Sequence, residues 1–251
     1  MTQRKHTALA ASDNTTTDAF YNGRIKVFQA SQGYRFSIDA VLLADIARPK
    51  PGEVLMDMGT GCGIVPILLA FRYPQVRYVG IELQPQLAKI AHKNVAANHM
   101  NNSIKIIHQD IRTLKQEMVP TPVDWIVCNP PYRTAKSGRI NPNSERALAR
   151  HEIHLSLHEL VQVCRRFLKT GGRFATIYPV ERLVDLFTEM RTAGVEPKWM
   201  QNIHSRQGDE AKLALVQGIM RGRPGLKVVS PLTIYEPGGS YTQVVQKMMM
   251  P

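Results

Sequence analysis

The sequence predicts an α/β fold built on a mainly parallel, seven-stranded sheet with one antiparallel strand. Short apolar runs alternate with amphipathic stretches from Val54 to Ala193, the pattern of repeated strand–helix–strand units. One of these runs, Val123–Cys128, is nearly all apolar, as a strand covered on both faces requires. The last two strand candidates, Lys198–His204 and Ala211–Met220, have no helix between them and should therefore pair antiparallel.

Residues 1–22 are polar, rich in Thr and without apolar periodicity, and are expected to form a disordered tail; residues 23–251 then form a single domain. A polar-aromatic loop over Gln29–Phe36 leads into an apolar helix, Ile38–Ala47, which Ser37 is placed to cap and Asp39 favours from its first turn. Pro49, Pro51 and Gly52 stop that helix. Strands follow at Val54–Met58, Val76–Glu82 and Ile104–Gln109, with helices Ile64–Arg72 and Gln84–Asn98 between them. After Val123–Cys128 come a helix over Glu152–Leu168 ended by Gly171 and Gly172, a fifth strand at Arg173–Tyr178, and a helix over Val180–Ala193 ended by Gly194. Beyond Val228 the chain reads as irregular, with a turn at Glu236–Gly239 and a frayed end at Met248–Met250.

Composition excludes several classes of protein. With 43% hydrophobic and 21% charged residues, the 251-residue chain is not a disordered one. No stretch approaches the ~20 uninterrupted apolar residues of a membrane span, and the Ala8–Ala11 patch is too brief for a secretion signal. Cys62, Cys128 and Cys164 lie far apart, which suits neither a zinc site nor a disulfide framework and fits the cytoplasm. The formal charge is +12 and is uneven: 14 basic against 10 acidic residues over 1–132, but 17 against 9 over 133–227. A basic half of this kind attracts polyanions, RNA among them.

Chemistry concentrates at strand ends. Asp57-Met58-Gly59-Thr60-Gly61-Cys62-Gly63 joins a strand to a helix, where glycines permit a tight turn and let a ligand approach the backbone. The third glycine falls two residues after the second, unlike the three expected for dinucleotide folds. Asp57, Glu82 and Asp110 close three successive strands and together suit a ligand rich in hydroxyl and amino donors. Directly after the apolar fourth strand stands Asn129-Pro130-Pro131-Tyr132. The Asn129 side-chain carbonyl and the Pro130 backbone carbonyl can both accept from one exocyclic amino group. The prolines hold those acceptors still, and Tyr132 offers a face to a planar group.

These motifs resemble those of the Rossmann-like class I, S-adenosylmethionine-dependent amino methyltransferases with an N-P-P-Y signature. Gln32–Asp39 resembles the segment before the cofactor loop in the branch that methylates N6 of an adenosine beside the anticodon of a valine tRNA. The resemblance covers about residues 24–245. It implies that Asp57, Gly59 and Gly61 line the methionine end of S-adenosylmethionine, that Glu82 binds the ribose hydroxyls, and that Asp110 binds the adenine amino group. Phe36, Asp39 and Asn129 are implied as further cofactor contacts. Asn129, Pro130, Pro131 and Tyr132 are implied as the catalytic group. The N-P-P-Y signature is shared by DNA, RNA and protein methylases. A glutamine-N5 methylase of a protein such as a release factor therefore stands as an alternative, as does an RNA-binding protein that keeps a methylase fold without activity. Only 56 residues precede Asp57, which is expected to be too few for the helical substrate domain of the glutamine enzymes.

The stretch Arg133–Arg150 holds Arg133, Lys136, Arg139, Arg146 and Arg150 against one acid, Glu145, and begins at the N-P-P-Y turn. It is expected to contact substrate phosphates, with Lys212, Arg221, Arg223 and Lys227 as further cations. His151, His154 and His158 fall at helical spacing, but without other ligand residues beside them they read as a polar helix face, and no metal is expected.

Overall fold

The computed structural model describes residues 15–30, 37–130 and 156–249. The described residues open with an antiparallel hairpin, β1 (Thr15–Phe20) and β2 (Ile25–Ala30). Its turn places Tyr21 and Asn22 at φ of 54° and 58°, with the Gly23 amide donating to Phe20 O at 3.1 Å. Helix α1 (Ile38–Ile46) leads to β3 (Val54–Met58), α2 (Ile64–Arg72), β4 (Arg77–Glu82), α3 (Pro85–Ala97), β5 (Ile104–His108) and β6 (Val123–Cys128). Then come α4 (Leu157–Phe167), β7 (Leu168–Pro179), α5 (Leu183–Thr192), β8 (Val195–His204) and β9 (Leu213–Met220). The chain closes with β10 (Lys227–Val228), β11 (Leu232–Thr233) and α6 (Gln243–Met249).

Nine strands form one sheet in the order β10-β8-β9-β7-β6-β3-β4-β5, with β11 also on β8. Only β9 runs against the others, pairing antiparallel with β7 and β8. The expected seven strands are all present. The sheet exceeds seven because two further strands of two residues each, from the segment read as irregular, add along the outer edge of β8. Strands that short carry no periodicity, so the sequence offers no sign of them.

The tail expected over residues 1–22 is corrected from residue 15 onward. Phe20, Tyr21, Ile25 and Val27 are buried against α1, α2 and α3, so the hairpin belongs to the core. Arg72 rivets it there: Nε donates to the Tyr21 hydroxyl at 2.9 Å, Nη1 to Asp45 at 3.1 Å, and Nη2 to the Met248 carbonyl. Met248 and Met249 pack on the core beside α1, so they are not frayed. Gln29 lies in β2 rather than in a loop, and Ser37 stands at the N-cap of α1 without a side-chain cap bond to the backbone. The Gly171–Gly172 pair lies inside β7 instead of ending a helix ahead of it. The cause is tight packing: a Cβ on Gly172 would lie 2.8 Å from Lys169 O and 3.2 Å from Asp124 O.

Candidate cofactor and substrate site

β3 lies between β4 and β6, with Met58 level with Ile81 on one side and Cys128 on the other. From β3 the chain moves outward through β4 and β5 and then returns to β6 on the opposite side. The carboxyl end of the sheet therefore splits at β3, the position where such sheets form a ligand crevice. Gly59 and Asn129 are the first residues beyond β3 and β6, and Glu82 is the last of β4. The structure thus brings Asp57, Gly59, Gly61, Glu82, Asn129 and Pro130 to one edge.

The glycine turn depends on backbone that side chains resist. Gly59, Gly61 and Gly63 take φ of 72°, 58° and 83°, all left-handed. The amides of Gly59 and Thr60 both donate to Ile81 O at 2.9 Å, and Gly63 donates to Thr60 O at 2.9 Å. Glu82 completes the cradle. Its Oε2 accepts from the Gly61 amide and its Oε1 from the Gln84 amide, each at 2.8 Å. Burial raises the carboxyl above its usual range. The Leu83 amide favours the carboxylate as well, and an ionised carboxylate, with about four acceptor positions, still has room for a hydroxyl donor.

Asp57 sits beneath the turn and is 2% exposed. Its Oδ2 and the Thr60 hydroxyl oxygen are buried with no hydrogen-bond partner among the described residues. Burial pushes the Asp57 carboxyl up to about 7. The neighbouring Thr60 hydroxyl offsets this only in part, so a buried carboxylate here is costly, and a ligand ammonium at this point would relieve the cost. Cys62 is buried in the turn and its thiol is pushed up to about 12 by burial, so it is no nucleophile near neutral pH.

Asp110 lies farther out. β5 stops at His108, so Asp110 stands two residues beyond the strand rather than closing it. Its carboxylate receives Arg112 Nε at 3.0 Å on both oxygens and the Arg112 amide at 2.9 Å. The guanidinium holds it below the usual carboxylate range. Asp39 lies in the first turn of α1, with its carboxyl raised by burial.

Phe36, Pro131, Tyr132, Arg133, Lys136, Arg139 and Arg146 lie outside the described residues, as do Arg150, His151 and His154. Lys212, Arg221, Arg223 and Lys227 are exposed around β9 and β10. His158 approaches Glu189 at 2.9 Å on an exposed face. Among the described residues no cluster of three or more His, Cys, Asp or Glu could hold a metal, and no helix is long and apolar enough to cross a membrane.

Two residues of this edge were not singled out by the sequence. Gly80 in β4 lets the turn lie close, because a Cβ there would sit 2.9 Å from the Thr60 side chain and 2.8 Å from Ile106. Asn94 of α3, fully buried, donates to Cys62 O at 2.8 Å. A glycine inside an apolar strand and a polar residue among the buried positions of a helix were the available signals.

Comparison with known proteins agrees with this geometry. The family model for the methyltransferase small domain matches residues 35–182. A Porphyromonas gingivalis protein named tRNA1(Val) (adenine(37)-N6)-methyltransferase is 36% identical over 176 residues, 68% of each chain. A Pedobacter heparinus protein of the same name is 26% identical over 232 residues, 92% of this chain and 96% of that one. Among solved structures, an Agrobacterium tumefaciens protein described as a predicted O-methyltransferase superposes with a TM-score of 0.67 at 19% identity, over 84% of this chain and 94% of that one, which establishes the shared fold. With its glycine turn, strand-end acids and N-P-P-Y turn all inside the matched span, the chain belongs to the methyltransferase small domain family.

Proposed function

We propose that the chain transfers a methyl group from S-adenosylmethionine to the N6 amino group of an adenosine in tRNA, adenine 37 of tRNA1(Val) as in the names of its relatives. The observation that carries this reading is the placement of Asn129 and Pro130 immediately after β6, beside the glycine turn of β3.

The residues present fit the cofactor. The orphaned Asp57 oxygen suits its ammonium, the left-handed glycines permit close approach of its methionine end, and Glu82 keeps room to accept from a ribose hydroxyl. Asp110, oriented by Arg112, is assigned to the adenine amino group, and Phe36 and Asp39 are assigned as further cofactor contacts. When bound, the cofactor supplies an electrophilic methyl group.

The chain's part is to prepare the nucleophile. An exocyclic aromatic amine is weakly nucleophilic because its lone pair is delocalised into the ring. The Asn129 side-chain carbonyl and the Pro130 main-chain carbonyl accept hydrogen bonds from its two N–H groups and favour a more tetrahedral nitrogen. The lone pair is then directed at the methyl group. Pre-set acceptors need no reorganisation at the moment of reaction. A base in RNA must leave its stack to reach them, and Tyr132 is assigned to hold it. Phosphate contacts are assigned to Arg133, Lys136, Arg139 and Arg146, in keeping with the net charge of +12. A tRNA substrate is in keeping with a cytoplasmic enzyme.

The test is incubation with radiolabelled S-adenosylmethionine and, in separate arms, total RNA or a release factor, followed by digestion to nucleosides or to amino acids. Label in N6-methyladenosine from tRNA is the expected result. Label in the glutamine of a release factor with none in RNA overturns the reading.

A further inference from the structure

Helix α3 carries two asparagines one turn apart that treat β2 as a neighbouring strand would. Asn98 Oδ1 accepts from the Lys26 amide at 3.0 Å while its Nδ2 donates to Lys26 O at 2.7 Å. Asn94 Oδ1 accepts from the Phe28 amide at 2.7 Å, and its Nδ2 donates to Phe28 O at 2.9 Å. The pairing uses alternate residues of β2, whose backbone groups facing away from β1 would otherwise be an open edge. Asn94 does one thing more: its Nδ2 also donates to Cys62 O at 2.8 Å. One fully buried amide thus joins the glycine turn to the hairpin strand.

The position of each joined part matters. Cys62 stands between Gly61, whose amide Glu82 holds, and Gly63, which rests on α3, where its Cβ would lie 3.3 Å from Ala91 Cβ. Fixing the Cys62 carbonyl fixes the peptide plane through which the turn enters α2. Phe28 lies in β2, the strand that precedes α1 in the chain, and the first turn of α1 carries Asp39.

We propose that Asn94 is a positioning residue of the cofactor site, setting the glycine turn against the N-terminal hairpin so that cofactor affinity depends on both. The inference rests on the cofactor reading given above. Asn98 is the internal control, because it grips the same strand but makes no bond to the turn.

The test compares Asn94→Ala, Asn98→Ala and the unmodified chain by calorimetric titration with S-adenosylhomocysteine and by thermal unfolding. Both substitutions should lower Tm. Asn94→Ala should raise Kd about tenfold, the scale of a buried hydrogen bond lost from a ligand's support, whereas Asn98→Ala should change it by less than about threefold. Methyl transfer at saturating cofactor should stay within about threefold of the unmodified rate in both, because neither residue touches the amine acceptors. Hydrogen exchange adds a readout apart from affinity: ligand should slow exchange of the Lys26 and Phe28 amides in the unmodified chain and lose that effect in Asn94→Ala. If Asn94→Ala does not fold, Asn94→Ser is judged by the same criteria. Equal Kd changes in the two variants, or an unchanged Kd in the Asn94 variant, overturn the inference. Failure of the unmodified chain to bind S-adenosylhomocysteine at all refutes instead the cofactor reading on which it rests.

Discussion

Asp57 makes a prediction in which cofactor binding and folding stability move in opposite directions. Its carboxyl titrates near 7 in the unliganded chain because it is buried, against an ordinary 3.8. Between those values the folded chain holds a proton that the unfolded chain has lost, so this group lowers stability progressively as pH rises from about 4 to about 7. At about 1.36 kcal/mol per unit, the full cost above pH 7 is on the order of 4 kcal/mol. A cation bound against the carboxylate reverses the balance by favouring ionisation. S-adenosylhomocysteine should therefore bind about tenfold more tightly for each unit of pH between 5.5 and 6.5, with the gain flattening above 7. Titration at pH 6 in two buffers of different ionisation enthalpy should reveal close to ~0.9 proton released per ligand bound. Asn at position 57 cannot ionise. Asp57→Asn should make the pH dependence shallower, weaken binding at pH 7.5, and raise the stability of the unliganded chain at pH 8 while changing it little at pH 5. Binding that is flat from pH 5.5 to 7.5 with no proton release, or an Asp57→Asn variant with an unaltered slope, would refute a ligand cation at this carboxyl.

Other substitutions separate binding, chemistry and folding. Glu82→Gln presents one acceptor where the carboxylate has two, so one strapped amide or one ribose hydroxyl loses its partner; Kd should rise by about 10- to 150-fold by titration, from ~1.5–3 kcal/mol for a charge-assisted bond. Asn129→Ala should cut single-turnover methyl transfer by about a hundredfold or more, far more than its cofactor contact alters Kd; a fast variant sinks the amine-orienting role. Arg72→Met leaves Asp45 and the Tyr21 hydroxyl without their shared donor and should cost about 2–3 kcal/mol in denaturant unfolding, with the cofactor site spared once folded. For tRNA, the affinity of the unmodified chain should fall with salt on a log–log plot, and neutralising Arg139 and Arg146 together should reduce that slope by about 1–2; a slope unchanged from the unmodified chain would remove them from the RNA contact.

The sheet was legible because its signals were strong and local. Ile64–Arg72 and Val123–Cys128 occur with the boundaries that their apolar pattern gives, and the antiparallel pairing of β8 with β9 followed from the missing helix between them. What escaped was structure stabilised from elsewhere in the chain. Thr15–Phe20 reads T-T-T-D-A-F, with little apolar content, and becomes a strand because β2 pairs with it and because Phe20 and Tyr21 find pockets among three helices. The final helix likewise shows a plain stretch of Val, Gln, Lys and Met, whose burial depends on α1 and on the Arg72 guanidinium.

The candidate site divides along the same line. Strand-end acids and a glycine turn stand out because they follow apolar strands directly, so the sequence could gather Asp57, Glu82 and the glycines at one candidate edge, with their roles supplied by the family resemblance. Their supports could not be read in this way. Glu82 was expected to face a ligand, and the structure shows that it first holds the turn itself, through Gly61. Asp110 was expected to end its strand and face a ligand; it stands two residues beyond the strand, and Arg112 already grips it. In both cases the sequence names the carboxylate, but its orientation depends on a backbone amide or a guanidinium whose direction only the folded chain determines. Asn94 is the extreme case: it contacts partners 32 and 66 residues away, and on α3 it is one polar residue among many. A residue that binds only main-chain atoms leaves no pattern of side-chain types in its partners. Such supports are therefore found from geometry, and their substitution should alter affinity without altering the chemistry of transfer.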